Sequence, residues 1–497
     1  MIAAESKISF EPFRLFFFSI ITSFIGYGFT LTNYSLSVDN ETTIGSTYVL
    51  SLGRWGTTLV RYYIFHGHLP YFTVLLGLIL MSVTAVILAK LFKIDGIMSY
   101  IFCALFLTFP QLSYQLVFTM QADVVPLGFL CSALSVKYFL DGLENLFSKK
   151  SIMLLLASAL LLMFVIALYQ ALFIIPIVIY LIILFQRTFN TDYTFKAEFK
   201  NGLYFGALLI VGVILYYLST KLFCPPAGDA GYLSSYTSGD LSSQLPNNLS
   251  VWLKNLVGHW YYGAQTFIIV TILTIVLAVK FAIAKKHFLI RGTILALFLI
   301  LPFTFTFLIT NNYHPPRIYV TSGIVFAFII VHCISSINYK NLTLVLCSLI
   351  CVANIYFITK LFYSTYQIAN HDKIFAEKID AAIRDKYPDF NESVDYVYFY
   401  GFLPFEHHQQ FRLKNSEIFG GSLFSWDNGD NFRIVNLFRF HDIANYKYLD
   451  NQQVYLGVKD SISAMPVWPN KESIKKVNNV VIVKIGDQEG APLRFEH

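Results

Sequence analysis

Long uncharged apolar runs recur along most of the chain and are separated by short polar segments. A helix needs about 20 such residues to cross the hydrocarbon core of a bilayer. The first run continues into further chain without a small-residue cleavage site, so we expect an anchor rather than a removed signal peptide. The runs predict about 11 transmembrane helices, at residues 13–32, 71–92, 97–114, 121–140, 152–169, 171–186, 202–222, 263–284, 288–310, 318–337 and 342–363.

Beyond residue 364 the pattern changes to mixed charged and polar residues with short apolar stretches. These stretches predict a small α+β domain, which is long enough for a core of its own. The fold class is therefore a polytopic α-helical membrane protein with a small α+β C-terminal domain. The elements predicted in that domain are a helix near 372–386 and strands at 395–400, 433–439 and 478–485.

Lysine and arginine residues are concentrated in alternate loops between the predicted spans. By the positive-inside rule, these loops are cytoplasmic. An odd number of spans then puts the C-terminal domain on the outer side. The predicted organisation is a cytoplasmic N-terminus at 1–12, a transmembrane domain at 13–363 with outer loops at 33–70 and 223–262, and a soluble domain at 364–497.

The composition supports a membrane protein, because 56% of the residues are hydrophobic and 13% are charged, against about a quarter charged in soluble domains. The net charge of +6 is spread between the apolar runs. Membrane lipid is therefore an expected partner, and nucleic acid is not. The chain has no P-loop and no dinucleotide fingerprint, which argues against direct use of a nucleotide-sugar. Any sugar donor is expected to come from the lipid phase.

The first predicted outer loop contains two carboxylates, Asp39 and Glu41. Residues two apart in extended chain point to the same side, so both acids are able to face one substrate. A sugar carried on a lipid phosphate leaves with that phosphate, which needs no proton, whereas the acceptor hydroxyl needs a base. We interpret Asp39 as the candidate base, with Glu41 as an alternate base or an orienting group. A lone acid in such a loop would more often be a solvated charge.

Other polar residues on the predicted outer side are candidates for substrate binding. Arg54, Arg61 and Arg317 are expected to neutralise the departing phosphate. An acid at the start of a span is uncommon, which singles out Asp123. The sequence assigns no cofactor and leaves a divalent metal ion open. The remaining candidates are Trp55, Tyr169, Gln170 and His314, although a residue pair such as Tyr169 and Gln170 more often only caps a tight hairpin.

Several short motifs together resemble a known family. They are Asp39-Asn40-Glu41, Gly53-Arg54-Trp55, Tyr169-Gln170-Ala171, and Met465-Pro466-Val467-Trp468-Pro469 before a strand that ends Val483-Lys484-Ile485. With these motifs, the chain resembles the serotype-converting O-antigen glucosyltransferases, the Gtr-type polytopic enzymes often encoded by phages in Gram-negative bacteria.

The resemblance implies a GT-C fold in which acidic residues of the first outer loop serve catalysis. By position, Asp39 and Glu41 take that role, while the other candidates are inferred from location alone. The implied donor is undecaprenyl-phosphate glucose. The implied acceptor is the O-antigen repeat of lipopolysaccharide, on the periplasmic side of the bacterial inner membrane, with inversion at the anomeric carbon. The C-terminal domain would then be periplasmic.

Two other functions share many of these features. A flippase or transporter of lipid-linked sugars would also have many spans, but transporters tend to show repeated halves and broken helices, and neither is visible in the sequence. An O-antigen polymerase would share the substrate and the membrane. It differs from a glucosyltransferase in joining whole repeat units instead of adding one sugar.

Overall fold

A computed structural model describes residues 12–42, 45–67, 69–144, 148–224, 236, 238–335, 337, 339–404 and 410–495. The chain divides into two compact units. The first comprises Met1–Thr32 and Gly45–Thr359, and the second comprises Asn33–Ile44 and Lys360–His497. The segment that carries Asp39 and Glu41 therefore belongs to the same unit as the C-terminal region.

Apolar helices build the first unit, as expected where backbone polar groups must be satisfied within each segment. The longer helices are Pro12–Thr32, Pro70–Leu91, Ile97–Thr108, Val124–Gly142, Lys149–Leu168, Ile174–Arg187, Phe195–Phe223, Leu241–Leu256, Ile268–Ala284, Phe288–Ile300, Ser322–Ile334 and Lys340–Lys386, the last of which continues into the second unit. The shorter ones are Ser46–Ser51, Trp55–Thr58 and Ser113–Leu116, a π-helix at Leu59–Ile64, and 3₁₀ helices at Pro110–Leu112, Gln170–Phe173, Gln265–Phe267, Leu301–Phe307 and Pro316–Ile318.

Among the described residues, nine helices are long and apolar enough to cross a membrane. A tenth span is added if Ile97–Thr108 and Pro110–Leu116, which meet at a bend of 40°, count as one. The helix Ser322–Ile334 is apolar but has only 13 residues. Each of the predicted spans falls on one of these segments, so the multi-pass helical architecture is confirmed.

A four-stranded sheet forms the centre of the second unit. Its strands are β1 (Tyr396–Tyr400), β2 (Lys447–Tyr448), β3 (Ile474–Val477) and β4 (Val480–Lys484), in the order β2-β1-β4-β3. β1 pairs in parallel with β2 and β4, while β3 and β4 are antiparallel. Every residue of β4 is buried, which agrees with its continuous apolar sequence. The α+β class and the strands predicted at 395–400 and 478–485 are confirmed.

The strand predicted at 433–439 is wrong, because the helix Asn431–Phe440 occupies this position. Asp430 caps the helix by accepting a hydrogen bond of 2.8 Å from the backbone N–H of Phe432. The buried residues of this helix include Ile434, Leu437 and Phe438, which are three and four positions apart, as on one face of a helix. The other helices among the described residues of the second unit are Gln452–Lys459 and the 3₁₀ turns Trp426–Asn428 and Lys471–Ser473.

The segment 33–44 is anchored in the core of the second unit. Leu36 is buried in the same apolar cluster as Phe399 of β1 and Phe438, and the ring of Tyr34 lies 5.9 Å from that of Phe440. The cluster thus joins the start of the chain to residues beyond 360. It places the segment with the two carboxylates against the helix Asn431–Phe440.

Candidate functional site

Asp39 and Glu41 lie in a tight turn just beyond the buried Leu36. The backbone N–H of Asn40 donates to the carbonyl of Ser37 at 3.0 Å, and Asp39 adopts a positive φ of 68°. Aspartate tolerates this left-handed conformation better than most residues. The turn therefore presents two carboxylates that are held by short-range backbone geometry.

The guanidinium of Arg433 holds both predicted acids. Its Nη2 donates to Oδ1 of Asp39 at 3.0 Å and its Nη1 donates to Oε1 of Glu41. The third nitrogen, Nε, donates to Oδ2 of Asp427 at 2.8 Å. All three nitrogen atoms thus carry charge-assisted hydrogen bonds, which are roughly twice as strong as neutral ones. One cation and three carboxylates form a cluster, which we call the Arg433 cluster.

The two predicted acids differ in their access to solvent. The side chain of Asp39 is 43% exposed, whereas that of Glu41 is 2% exposed. Oε2 of Glu41 is buried and has no hydrogen-bond partner among the described residues. Burial raises the pKa of the Glu41 carboxyl above its ordinary value, although the charge of Arg433 opposes this rise. Asp39 is therefore the accessible carboxylate, and Glu41 the enclosed one.

Arg433 stays protonated in this environment. Burial alone would lower its pKa, but the negative charges of Glu41, Asp39 and Asp427 outweigh burial, and the pKa is raised. Asp427 reaches Arg433 from a turn in which Asp427, Asn428 and Gly429 all have positive φ, of 48°, 56° and 74°. For residues other than glycine, such backbone conformations are sparsely populated and often occur at functional sites.

Arg54 and the hairpin at Tyr169-Gln170 form a second group, in the first unit. Nε of Arg54 donates to Oε1 of Gln170 at 3.1 Å, and the guanidinium lies 4.7 Å from the ring centroid of Tyr169. Gln170 also donates to the carbonyl of Leu52 at 2.7 Å. Trp55 donates from its indole to Ser219 at 2.9 Å. The structure thus brings together two short motifs that lie more than 100 residues apart.

Arg61 and Asp123 form a buried ion pair. The guanidinium also donates to the carbonyls of Met120 at 3.1 Å and Gly67 at 3.3 Å. All three of its nitrogen atoms are therefore engaged within the fold. A second oxygen of Asp123 is buried without a hydrogen-bond partner among the described residues.

His314 and Arg317 lie in and just after the Pro-stiffened turn. Nη1 of Arg317 donates to the hydroxyl of Tyr313 at 3.1 Å, and the guanidinium lies 5.2 Å from the ring centroid of Phe118. His314 is buried at 3% exposure, next to the indole of Trp260. Burial lowers the pKa of His314, so the imidazole is neutral near pH 7.

The cluster contains two residues that sequence reasoning missed, Arg433 and Asp427. Arg433 is separated by 392 positions from Glu41, so no local pattern links them. One feature of the sequence could have identified Arg433. It lies three residues after Asp430, which caps the helix, and a cation in the first turn of a helix opposes the helix dipole. An arginine at that position therefore indicates a role other than helix stability. In the part of the chain that the structure describes, no group of three or more His, Cys, Asp or Glu side chains is arranged to hold a metal ion.

The model of a protein family described as Glucosyl transferase GtrII matches residues 28–332, which is more than half of the chain. The match includes Asp39 and Glu41 and ends before the C-terminal region with Arg433. Searches of curated proteins and of solved structures found no match. The family match confirms the resemblance to the Gtr-type enzymes. The chain belongs to the GtrII family of glucosyl transferases.

Proposed function

We propose that this glucosyltransferase moves glucose from undecaprenyl-phosphate glucose to O-antigen repeat units of lipopolysaccharide, on the periplasmic side of the bacterial inner membrane. The multi-pass architecture gives a lipid-linked donor direct access to the protein. The absence of nucleotide-binding motifs from the sequence also favours a lipid-linked donor. A flippase and a polymerase are less favoured, because the family is one of glucosyl transferases.

The observation that carries the proposal is the pair of carboxylates on one guanidinium, one of them accessible and one enclosed. Asp39 is the proposed base. It takes the proton from the acceptor hydroxyl while the hydroxyl oxygen bonds to the anomeric carbon of glucose. The bond between that carbon and the phosphate oxygen breaks, and the phosphate leaves with the electron pair. A single displacement of this kind inverts the anomeric carbon.

Glu41 is the proposed orienting group. Its Oε2 is buried without a partner among the described residues, and such an atom is costly unless a ligand satisfies it. Because this atom is enclosed, we propose that Glu41 orients Asp39 through the guanidinium of Arg433, which both acids contact. The proposal therefore assigns the role of base to Asp39 and the role of orienting group to Glu41, which the sequence left open.

The remaining predicted residues take supporting roles in the proposal. Arg54 and Arg317 are proposed to contact the donor phosphate, because both are partly exposed cations. The side chains proposed to contact sugar are Trp55, Tyr169, Gln170 and the neutral His314. Arg61 and Asp123 neutralise each other, so we propose that they hold the loop rather than the substrate.

The proposal is tested with purified protein, polyprenyl-phosphate glucose and lipopolysaccharide that carries O-antigen. Asp39→Asn is expected to lower the transfer rate by about 100-fold or more, as loss of a general base does. Glu41→Gln is expected to lower it less. Asp442→Asn is the matched control, because Asp442 is an exposed aspartate of the same unit with a positive φ of 53°. Wild-type transfer by both site variants would overturn the proposed site.

A further inference from the structure

We propose that Arg433 is a positioning residue for the transfer reaction, which holds Asp39 and Glu41 in their working arrangement. The inference rests on the proposed catalytic role of these two acids. It assigns part of the site to a region beyond the family match, which ends at residue 332. The transfer site would then need the C-terminal region of the chain as well as the first loop.

The first argument is the number of charges at one point. Asp39, Glu41 and Asp427 each contact a different nitrogen of Arg433. Without the guanidinium, three carboxylates would share a small, partly buried region, and their mutual repulsion would separate them. The planar guanidinium fits this task, since it presents several donors in a fixed fork.

The second argument is the position of Arg433 in its helix. It is the third residue of Asn431–Phe440 and lies in the first turn. The positive end of the helix dipole disfavours a cation there. Helix stability therefore does not explain an arginine at this position. The three carboxylates that Arg433 contacts explain its presence, and two of them belong to the segment 33–44, which carries the proposed base.

The third argument is which atoms Arg433 leaves available. It contacts Oδ1 of Asp39, whose side chain remains 43% exposed. It contacts Oε1 of Glu41 and leaves Oε2 without a partner among the described residues. Asp39 is thus fixed in direction while its carboxylate stays accessible to a substrate hydroxyl, and Glu41 is held beside it in an enclosed position. This is the arrangement that a base and an orienting group require.

Arg384 provides a matched control in the same unit. It also contacts two carboxylates, Asp380 at 2.9 Å and Glu392. These partners belong to the helix Lys340–Lys386 and to the loop before β1, not to the segment 33–44. The Arg384 side chain is more exposed than that of Arg433, 45% against 16%. A substitution of Arg384 therefore removes a comparable ion-pair group without touching the proposed acids.

The experiment compares Arg433→Lys and Arg433→Met with Arg384→Lys and Arg384→Met, in the full chain with the donor and acceptor named above. A lysine keeps the charge but not the fork. We expect Arg433→Lys to lower kcat by about 100-fold through misplacement of the acids, with the KM for donor changed by less than about twofold. Arg433→Met should lose more activity, and the Arg384 variants should keep wild-type kcat.

The pH profile separates positioning from a merely structural role. The charged groups that face Glu41 are Arg433, which lowers the pKa of its carboxyl, and Asp39, which raises it. Without Arg433 the pKa of Glu41 rises further. The acidic limb of the kcat profile should then move to higher pH in Arg433→Met than in wild-type protein. If both Arg433 variants keep wild-type kcat and an unchanged pH profile while Asp39→Asn is inactive, the inference about Arg433 is overturned. The proposed function is not affected by that outcome.

If wild-type protein transfers no glucose from this donor, the proposed function fails. A measurement that needs no activity still tests whether Arg433 holds Glu41. Thermal unfolding is measured for Arg433→Met, Glu41→Gln and the double variant. If Arg433 holds Glu41, the loss of Tm in the double variant is smaller than the sum of the single losses. Additive losses would overturn the inference.

Discussion

His314 shows what a single buried side chain does to the response to acid. Both ring nitrogens lack a hydrogen-bond partner among the described residues, and burial lowers the pKa of the imidazole below its ordinary value. As pH falls through about 6.5, the unfolded chain binds a proton there before the folded protein does. The stability that depends on a neutral His314 is therefore present above this pH and is lost as the pH falls.

We accordingly predict that His314→Leu, a change of similar size, reduces the acid sensitivity of the protein. Between pH 7.5 and pH 5.5 the Tm of wild-type protein should fall by about 2 °C more than that of the variant, as measured by thermal unfolding in detergent. His441, whose pKa burial also lowers, affects both proteins equally. Parallel Tm curves for the two proteins would contradict the prediction.

Site residues could be predicted from the sequence where the residues that act together are close to each other in the chain. Asp39 and Glu41 stand two apart, and the structure brings them to one guanidinium. Arg433 was not predictable, because the contact depends on how Leu36 packs in a core made of residues beyond 360. Its own sequence neighbourhood, a run with Ile434 and Val435, favoured a strand instead. Tertiary packing and the cap at Asp430 decided for the helix.

At the scale of elements, Gly53 determines how closely the first loop approaches the helix Phe195–Phe223. Its φ is +73°, and a Cβ placed on it would lie 2.7 Å from the hydroxyl of Tyr216. That hydroxyl donates to the carbonyl of Gly53 at 3.2 Å and accepts from Gln170 at 3.3 Å. A side chain at residue 53 would therefore separate Arg54 from the hairpin at Gln170.

We predict that Gly53→Ala lowers the free energy of unfolding by about 1–3 kcal/mol, from strain at a positive φ together with the collision. Adding Tyr216→Phe removes the colliding hydroxyl and should recover part of the lost stability. Gly206→Ala, in the same helix as Tyr216 and with open space around it, should leave Tm unchanged. An equal loss in the Gly53 and Gly206 variants would show that the close approach is unimportant.

At the scale of the whole molecule, the number of spans determines which side of the membrane holds the second unit. Within the part of the chain that the structure describes, nine or ten segments are long and apolar enough for a span, and the helix Ser322–Ile334 is apolar but short. If this helix also crosses the membrane, the count is 11, and the chain after the last span, in Lys340–Lys386, lies on the outer side when the N-terminus is cytoplasmic. The distribution of Lys and Arg between loops favours 11 spans.

Reporter fusions test this directly. An alkaline phosphatase domain joined after Pro388 is expected to be active, because that enzyme needs an oxidising compartment for its disulfides. The same domain joined after Ser148, between Val124–Gly142 and Lys149–Leu168, is expected to be inactive. Activity only after Ser148 would reverse the predicted orientation and, with it, the proposed periplasmic site.

The ion pair between Glu41 and Arg433 also sets a delay during synthesis of the protein. The two residues are 392 positions apart, and a ribosome adds about 5–20 residues each second. Glu41 thus exists for about 20–80 seconds before Arg433 has been translated. During that interval the nascent chain has its first helices but lacks the cation that holds its acids together. If Arg433 has the proposed positioning role, products of a stalled ribosome that end before residue 433 are expected to lack transfer activity.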